Sequence, residues 1–168
     1  MAKLIIVANN LRSIHNVGSI FRTAEGLGVE KLYLTGYTPY PRLENDDRLP
    51  HLINKLDKAI SKVSLGAEKN LDFDYHDDIF ELIKKYKQKN YRIVALEQAK
   101  NSVNILNYKP MEKSILIIGN EVDGIEQSVL ESSEDILEIP MMGKKESFNV
   151  VQAMAIASFY LINQQLTK

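Results

Sequence analysis

Three short stretches gather the residues able to act on an anion or a hydroxyl. In NVGSIFRTAEGLG, residues 16–28, Arg22 stands among Val17, Ile20, Phe21, Ala24 and Leu27, whose i, i+3, i+4 spacing marks a buried helical stripe. With Asn16 as N-cap and Gly28 as stop signal, this helix should run about three turns, with Arg22 in its second turn and off the buried stripe. Side chains lean back toward a helix's start, so Arg22 should lie over Gly18, which leaves room for a guanidinium aimed at the N-terminus. Free amides and aligned peptide dipoles attract anions there. An ordinary solvated arginine fits the same pattern.

The second stretch is ILIIGNEVDGIE, residues 115–126, in which an apolar strand delivers Gly119, Asn120 and Glu121 at its C-terminal end, followed by Gly124. Strand ends are where α/β sites form, and a glycine there lets backbone approach a ligand closely. Glu121 is suited to hold a cation such as Arg22 or an amine of a cofactor; a turn with a helix cap is the plainer alternative. The third stretch is LEIPMMGKKESFNVVQAMAIASFYL, from residue 137. Pro140 stops a strand, Gly143 bends a loop, and Ser147 or Asn149 opens a helix so apolar that most of its surface should be buried. Both polar residues then sit at the helix start, placed either to bond a substrate or simply to cap.

The elements that must position these residues alternate along the chain. Apolar runs at 4–8, 31–36, 91–97, 114–119 and 136–140 read as strands, with DFDYHDD nearer a sheet edge. Helices are expected within 51–63, 77–89, 126–132 and 147–164. The alternation predicts an α/β fold, a mostly parallel sheet with helices on both faces, in one domain spanning 1–168. The proline-rich segment 37–50 is longer than a connection requires; Tyr37, Tyr40, Arg42 and Arg48 in it suit base and phosphate contacts, although a plain connecting loop is also consistent. KKYKQKNYR at 84–92 reads as a solvated helix end.

Composition removes several classes of function. The 168 residues contain no cysteine, and His15, His51 and His76 show no metal-ligand spacing, so neither thiolate nor metal chemistry is expected. A net charge of −1 argues against a non-specific polyanion binder and requires any nucleic-acid contacts to be gathered locally. No apolar run is long enough for a signal peptide or a membrane span, which points to the cytoplasm. EGLGVE is the only G-x-G, and it comes late in a helix rather than after the first strand; phosphate-loop and nucleophile-elbow patterns are missing.

NLRSIHNVGSIFRTAEGLGVEKLYLTG, ILIIGNEVDGIE and IPMMGKKESFNVVQAMAIASF resemble, in order and spacing, the three motifs of the SpoU/TrmH family of RNA ribose 2′-O-methyltransferases within the SPOUT class. The resemblance spans nearly the whole chain. It implies a deep C-terminal trefoil knot, a homodimer, an RNA partner in the form of tRNA or rRNA, and S-adenosylmethionine as methyl donor. Cofactor contacts would come from Leu96 and Glu97, Gly119, Ile139 through Met141 with Pro140 between them, and Ser147 with Phe148. Arg22 would act on the ribose hydroxyl once a substrate phosphate engages it, Asn16 and Glu121 would fix its geometry, and Ser147 and Asn149 would lie beside cofactor and ribose. Arg12, Arg22, Arg42 and Arg48 would contact RNA. An arginine with pKa above about 12 is a poor base, so its expected role is positioning and stabilising developing charge. Phe148 replaces the leucine common in the family, and bulky Gln152 stands among positions usually small. Rival readings are an RNA-binding protein of the same fold without catalysis, and a small-molecule enzyme.

Overall fold

The computed structural model describes residues 2–163. Its strands are β1 (Lys3–Asn9), β2 (Lys31–Thr35), β3 (Phe73–His76), β4 (Arg92–Leu96), β5 (Val103–Asn104), β6 (Lys113–Ile118) and β7 (Asp135–Glu138), and they form one sheet in the order β3-β2-β1-β6-β4-β7-β5. Every neighbouring pair is parallel. The helices are α1 (Ile14–Gly26), α2 (Pro50–Ser64), α3 (Ile79–Lys87), α4 (Gln127–Ser132) and α5 (Val150–Asn163). Among the described residues no helix is long and apolar enough to cross a membrane.

Alternation along β1 explains the layering. Leu4, Ile6 and Ala8 face a core with Val17, Ile20 and Phe21 of α1, Ile60 of α2 and Met154 and Leu161 of α5. Ile5 and Val7 face the other side, against Leu82 and Ile83 of α3 and Val129 of α4. Both faces are thus covered, as a parallel sheet with near-continuous apolar strands requires. The expected strands are all present to within a residue or two, and β3 is the edge strand its weak alternation suggested. Two-residue β5 carries no periodic signal and was not expected. The closing helix was expected to reach residue 164, which lies outside the described residues.

Three local expectations are corrected. Asn16 is not the N-cap: Ser13 is, its hydroxyl accepting from the Asn16 N–H at 3.2 Å, so α1 begins earlier and Arg22 falls in its third turn. Gly18 does not make room for Arg22. It is buried against α2, where a β-carbon would stand 2.7 Å from Val63 Cβ and 2.9 Å from the Ile60 carbonyl oxygen. Nor is α5 mostly buried. It inserts Met154, Ala157, Ser158, Leu161 and Ile162 and leaves Ile156 and Phe159 exposed at 41% and 60%, because the sheet and α1 meet only one side of it.

The segment between β2 and α2 is built rather than loose. The Arg48 guanidinium lies 3.5 Å above the Tyr40 ring, which stacks at 4.2 Å on Tyr75. Arg48 also donates to both Asp46 carboxylate oxygens and to the carbonyls of Tyr40 and Pro41. The Arg48 hydrogen bonds hold the Asp46 carboxyl well below the usual carboxylate range, and burial, with the neighbouring Asp77, pushes the Tyr75 hydroxyl up to about 12.

The close approach at Gly18 yields a stability test. Gly18→Ala should cost roughly 1–3 kcal/mol through overpacking against α2, read as a lower urea midpoint. Gly26→Ala, with nothing within 4 Å of the new β-carbon, should instead be neutral or stabilising. Equal midpoints for wild type and Gly18→Ala would remove the close-contact account.

Candidate active site

The C-terminal ends of β1, β2 and β6 meet at one buried amide. Asn120, 7% exposed, donates from Nδ2 to the Asn10 carbonyl at 2.9 Å and to the Tyr37 hydroxyl at 2.8 Å. Its Oδ1 accepts from the N–H groups of Val122 and Asp123 at 2.8 and 2.9 Å, so every bond the side chain can make is made. Its backbone pairs with Gly124 in both directions, closing the 120–124 turn. Two glycines let this turn fold tightly. A β-carbon on Gly119 would stand 2.6 Å from the Gly124 carbonyl oxygen, and one on Gly124, where φ is +71°, would collide with the Glu97 carboxylate. Glu97 in turn accepts from the Ile125 N–H at 2.9 Å, joining the end of β4 to the turn.

Glu121 is the first charged group beyond this knot of bonds, and it faces α1. Its carboxylate accepts from the backbone N–H groups of Arg12 and Ser13 at 3.0 and 3.1 Å and from Asn16 Nδ2 at 3.0 Å. Burial alone would raise the Glu121 carboxyl, but these three donors outweigh it and hold the group below its ordinary value of 4.5. The Asn16 side chain continues the chain of contacts: its Oδ1 accepts from Asn149 Nδ2 at 3.3 Å, and Asn149 caps α5 by accepting from the Val151 N–H. Glu121, Asn16 and Asn149, one from each chemically suggestive stretch, therefore form a continuous polar line.

Beside this line is a cleft of about 320 Å3, walled by the loops after β4, β6 and β7 and by the approach to α5. Leu96, Glu97, Gly119, Ile139, Ser147 and Phe148 line it, together with Glu121. Pro140 and Met141, expected in the wall, do not line it; on this segment the lining stops at Ile139 and resumes at Glu146. Gln98, which was not anticipated, lines it and donates to the Glu146 carbonyl at 2.9 Å, clasping two of its loops.

The arginines divide. Arg22 is exposed, lies outside the cleft wall and makes no hydrogen bond or ion pair among the described residues; Glu121 caps α1 rather than holding Arg22, contrary to expectation. Arg12 is exposed and pairs with Asp123 at 3.1 Å. Arg42 is exposed and donates to Asn54 at 2.6 Å. Arg48 is committed to Asp46, Tyr40 and Pro41, which makes it a brace for its own loop and not the free phosphate contact expected of it. The residues that sequence reasoning left without a role are Asn120 and Asn10. Asn10 adopts φ +56°, a region asparagine tolerates, and its place directly after an apolar strand was the available signal.

The family model for SpoU rRNA methylases matches residues 3–159. The chain belongs to the SpoU rRNA methylase family. Over 165 residues it is 28% identical to a tRNA (guanosine(18)-2′-O)-methyltransferase of Aquifex aeolicus, covering 98% of this chain and 71% of that protein. Among solved structures, an AdoMet-bound rRNA methyltransferase from Sinorhizobium meliloti matches with a TM-score of 0.80 at 20% identity over 99% of this chain and 57% of that one. A structure described as giving insight into 2′-OH methylation of C/U34 on tRNA matches with a TM-score of 0.78 at 22% identity, covering 99% of both chains. Glu121 and Ser147 line the cleft, and Asn16 of the first stretch reaches it through its bond to Glu121.

The Glu121 bonds carry a pH signature. A carboxyl held below its unfolded value contributes stability that is complete above that value, 4.5, and lost as pH falls through the folded one. Glu121→Gln should cost about 1 kcal/mol at neutral pH, since partial exposure screens the charge. Between neutral pH and a pH below 4.5 the gap to wild type should shrink as the native carboxyl protonates. Urea midpoints measured at both pH values test this, and a gap that does not change with pH would show that the charge of Glu121 is not what holds α1.

Proposed function

We propose that the protein is an S-adenosylmethionine-dependent RNA methyltransferase that places a methyl group on a ribose 2′-hydroxyl of tRNA or rRNA. The observation that carries this reading is the Glu121–Asn16–Asn149 line at the rim of a loop-walled cleft, in a chain of the SpoU family.

The residues present fit the cofactor. A cleft of about 320 Å3 lies within the range of small-molecule sites, about 300–1,000 Å3. Gly119 brings backbone to its edge, while Leu96, Ile139 and Phe148 offer apolar surface to an adenine and Ser147 a hydroxyl to a polar tail. When bound, S-adenosylmethionine supplies an electrophilic methyl on a sulfonium, and transfer needs oxygen, carbon and sulfur in line. The 2′-oxygen would take the methyl group, the sulfur would keep the electron pair of its broken bond, and the hydroxyl proton would pass to solvent.

The chain's own residues supply orientation and charge. Glu121 and Asn16 fix the start of α1, and the helix carries Arg22 at a set height above it, with its guanidinium unpaired among the described residues and ready for an RNA phosphate or a developing oxyanion. Asn149, and Ser147 two residues before it, set the other rim. Arg12 and Arg42 are exposed contacts for the phosphate backbone. The segment after β4 runs out to edge strand β5 and returns to the interior as β6 and β7; this order supports a C-terminal trefoil knot around the cleft. The exposed stripe Ile156 and Phe159 on α5 supports a homodimer, in which Arg22, lying outside its own chain's cleft wall, is free to serve the partner's. The chain serves as one catalytic domain in this arrangement.

Labelled methyl transfer into unmodified tRNA transcripts and rRNA fragments, with ribose analysis of the product, tests the reaction. Label is expected on a 2′-oxygen. Arg22→Ala should lower kcat roughly 10²- to 10³-fold with cofactor binding intact. Cofactor and RNA binding without any label would instead favour a binding protein. Sedimentation tests the assembly: wild type should run as a dimer and Phe159→Glu as a monomer, and a monomeric wild type would overturn it.

A further inference from the structure

Tyr37 is the first residue beyond Gly36 at the end of β2, and it is 58% exposed. Exposed tyrosines are common, but this one is held at both ends. Its N–H donates to Asn10 Oδ1 at 3.2 Å, and its hydroxyl accepts from Asn120 Nδ2 at 2.8 Å. Gly36, at φ +62°, packs so tightly on the Asn10 side chain that a β-carbon there would collide with Oδ1, which fixes the direction in which the chain leaves β2. Asn120 lines the cleft, so the phenol is anchored to the cleft's own edge.

The ring is left open while its neighbours are used up. Tyr40, three residues on, is sandwiched between Arg48 and Tyr75. The Tyr37 ring makes no contact with an aromatic ring or a cation among the described residues. A rigid aromatic surface has already lost the rotamer freedom that binding would otherwise remove, which is why tethered tyrosines serve well as contact residues. A flat, partly apolar ring at the edge of a polar cleft matches the face of an unpaired base, and stacking of this kind is a common means of holding single-stranded RNA.

We propose that Tyr37 is a stacking platform for an unpaired nucleobase of the RNA, adjoining the cleft and separate from the cofactor's place in it. This rests on the RNA reading above. Because every base has a π-face, the platform sets affinity and the position of the ribose, and leaves the identity of the base to other contacts.

The chain has no tryptophan, so Tyr37→Trp creates a single fluorescent reporter at the platform, and Phe80→Trp, on α3 away from the cleft, creates a control. Each is titrated with unmodified tRNA transcripts and with rRNA fragments, while anisotropy of dye-labelled RNA reports binding independently. Emission of Tyr37→Trp should fall in step with binding and that of Phe80→Trp should not. Tyr37→Ala should raise KM for the accepting RNA about tenfold with a far smaller change in the Kd for S-adenosylmethionine, and Tyr37→Phe, which keeps the ring and loses its bond to Asn120, should lie between Tyr37→Ala and wild type. RNA bound with Tyr37→Trp emission unchanged, or a wild-type KM in Tyr37→Ala, overturns the platform. Binding and quenching without methyl label overturn the catalytic reading and leave the platform standing; no binding to either RNA class overturns both.

Discussion

One buried amide carries the geometry of this end of the molecule. Asn120 reaches back to the end of β1 through the Asn10 carbonyl, across to the end of β2 through Tyr37, and forward into its own turn through two backbone amides. Leaving a buried amide without partners costs on the order of 1–3 kcal/mol for each group stranded, so the three segments hold their positions together or not at all. The left-handed Asn10, the glycine at 36 and the pair Gly119 and Gly124 are consequences of bringing that much backbone close to one side chain. Glu121 follows directly in the chain, so its reach to α1 is set by the same turn.

This dependence orders the rest of the site. The start of α1 is specified twice, locally by the Ser13 hydroxyl and from a distance by the Glu121 carboxylate. A carboxylate near a helix N-terminus is favoured by the dipole as well as by the amides it accepts from. Once the helix start is fixed, the height of Arg22 along its axis is fixed too, and the packing of Gly18 on α2 prevents the helix from rolling. Arg22, exposed and without a hydrogen bond or ion pair among the described residues, is thus carried at a fixed place on a constrained helix.

The sheet was legible in the sequence because its strands are apolar runs separated by helical periodicity, and those signals are local. So were the three stretches that form the site. What sequence could not convey was partnership. Ser13 and Asn16 are both competent caps, and only the presence of Glu121 beside Asn16 decides between them. Gly18 looks like space for Arg22 until α2, some forty residues later, is seen to fill it. Arg48 in a loop looks free, yet Asp46 two residues away and the Tyr40 ring absorb it. The apolar α5 looks like a core helix because hydrophobicity alone does not say which of its apolar side chains the rest of the chain covers, and Ile156 and Phe159 stay exposed.

The same physics explains how much sequence change the architecture absorbs. A TM-score of 0.80 is kept at 20% identity, which asks what is being preserved. Much of the cleft wall is loop backbone at strand ends, and a wall of amides and carbonyls is indifferent to most side-chain replacements provided the turn still closes. In this chain it closes through a glycine where a β-carbon would meet a carbonyl oxygen, an amide whose donors and acceptors are all used, and a carboxylate facing a helix start. The far part of the segment between β2 and α2, where Arg48, Tyr40 and Tyr75 stack, is held by its own contacts, whereas its first residue, Tyr37, is bonded into the turn through Asn120.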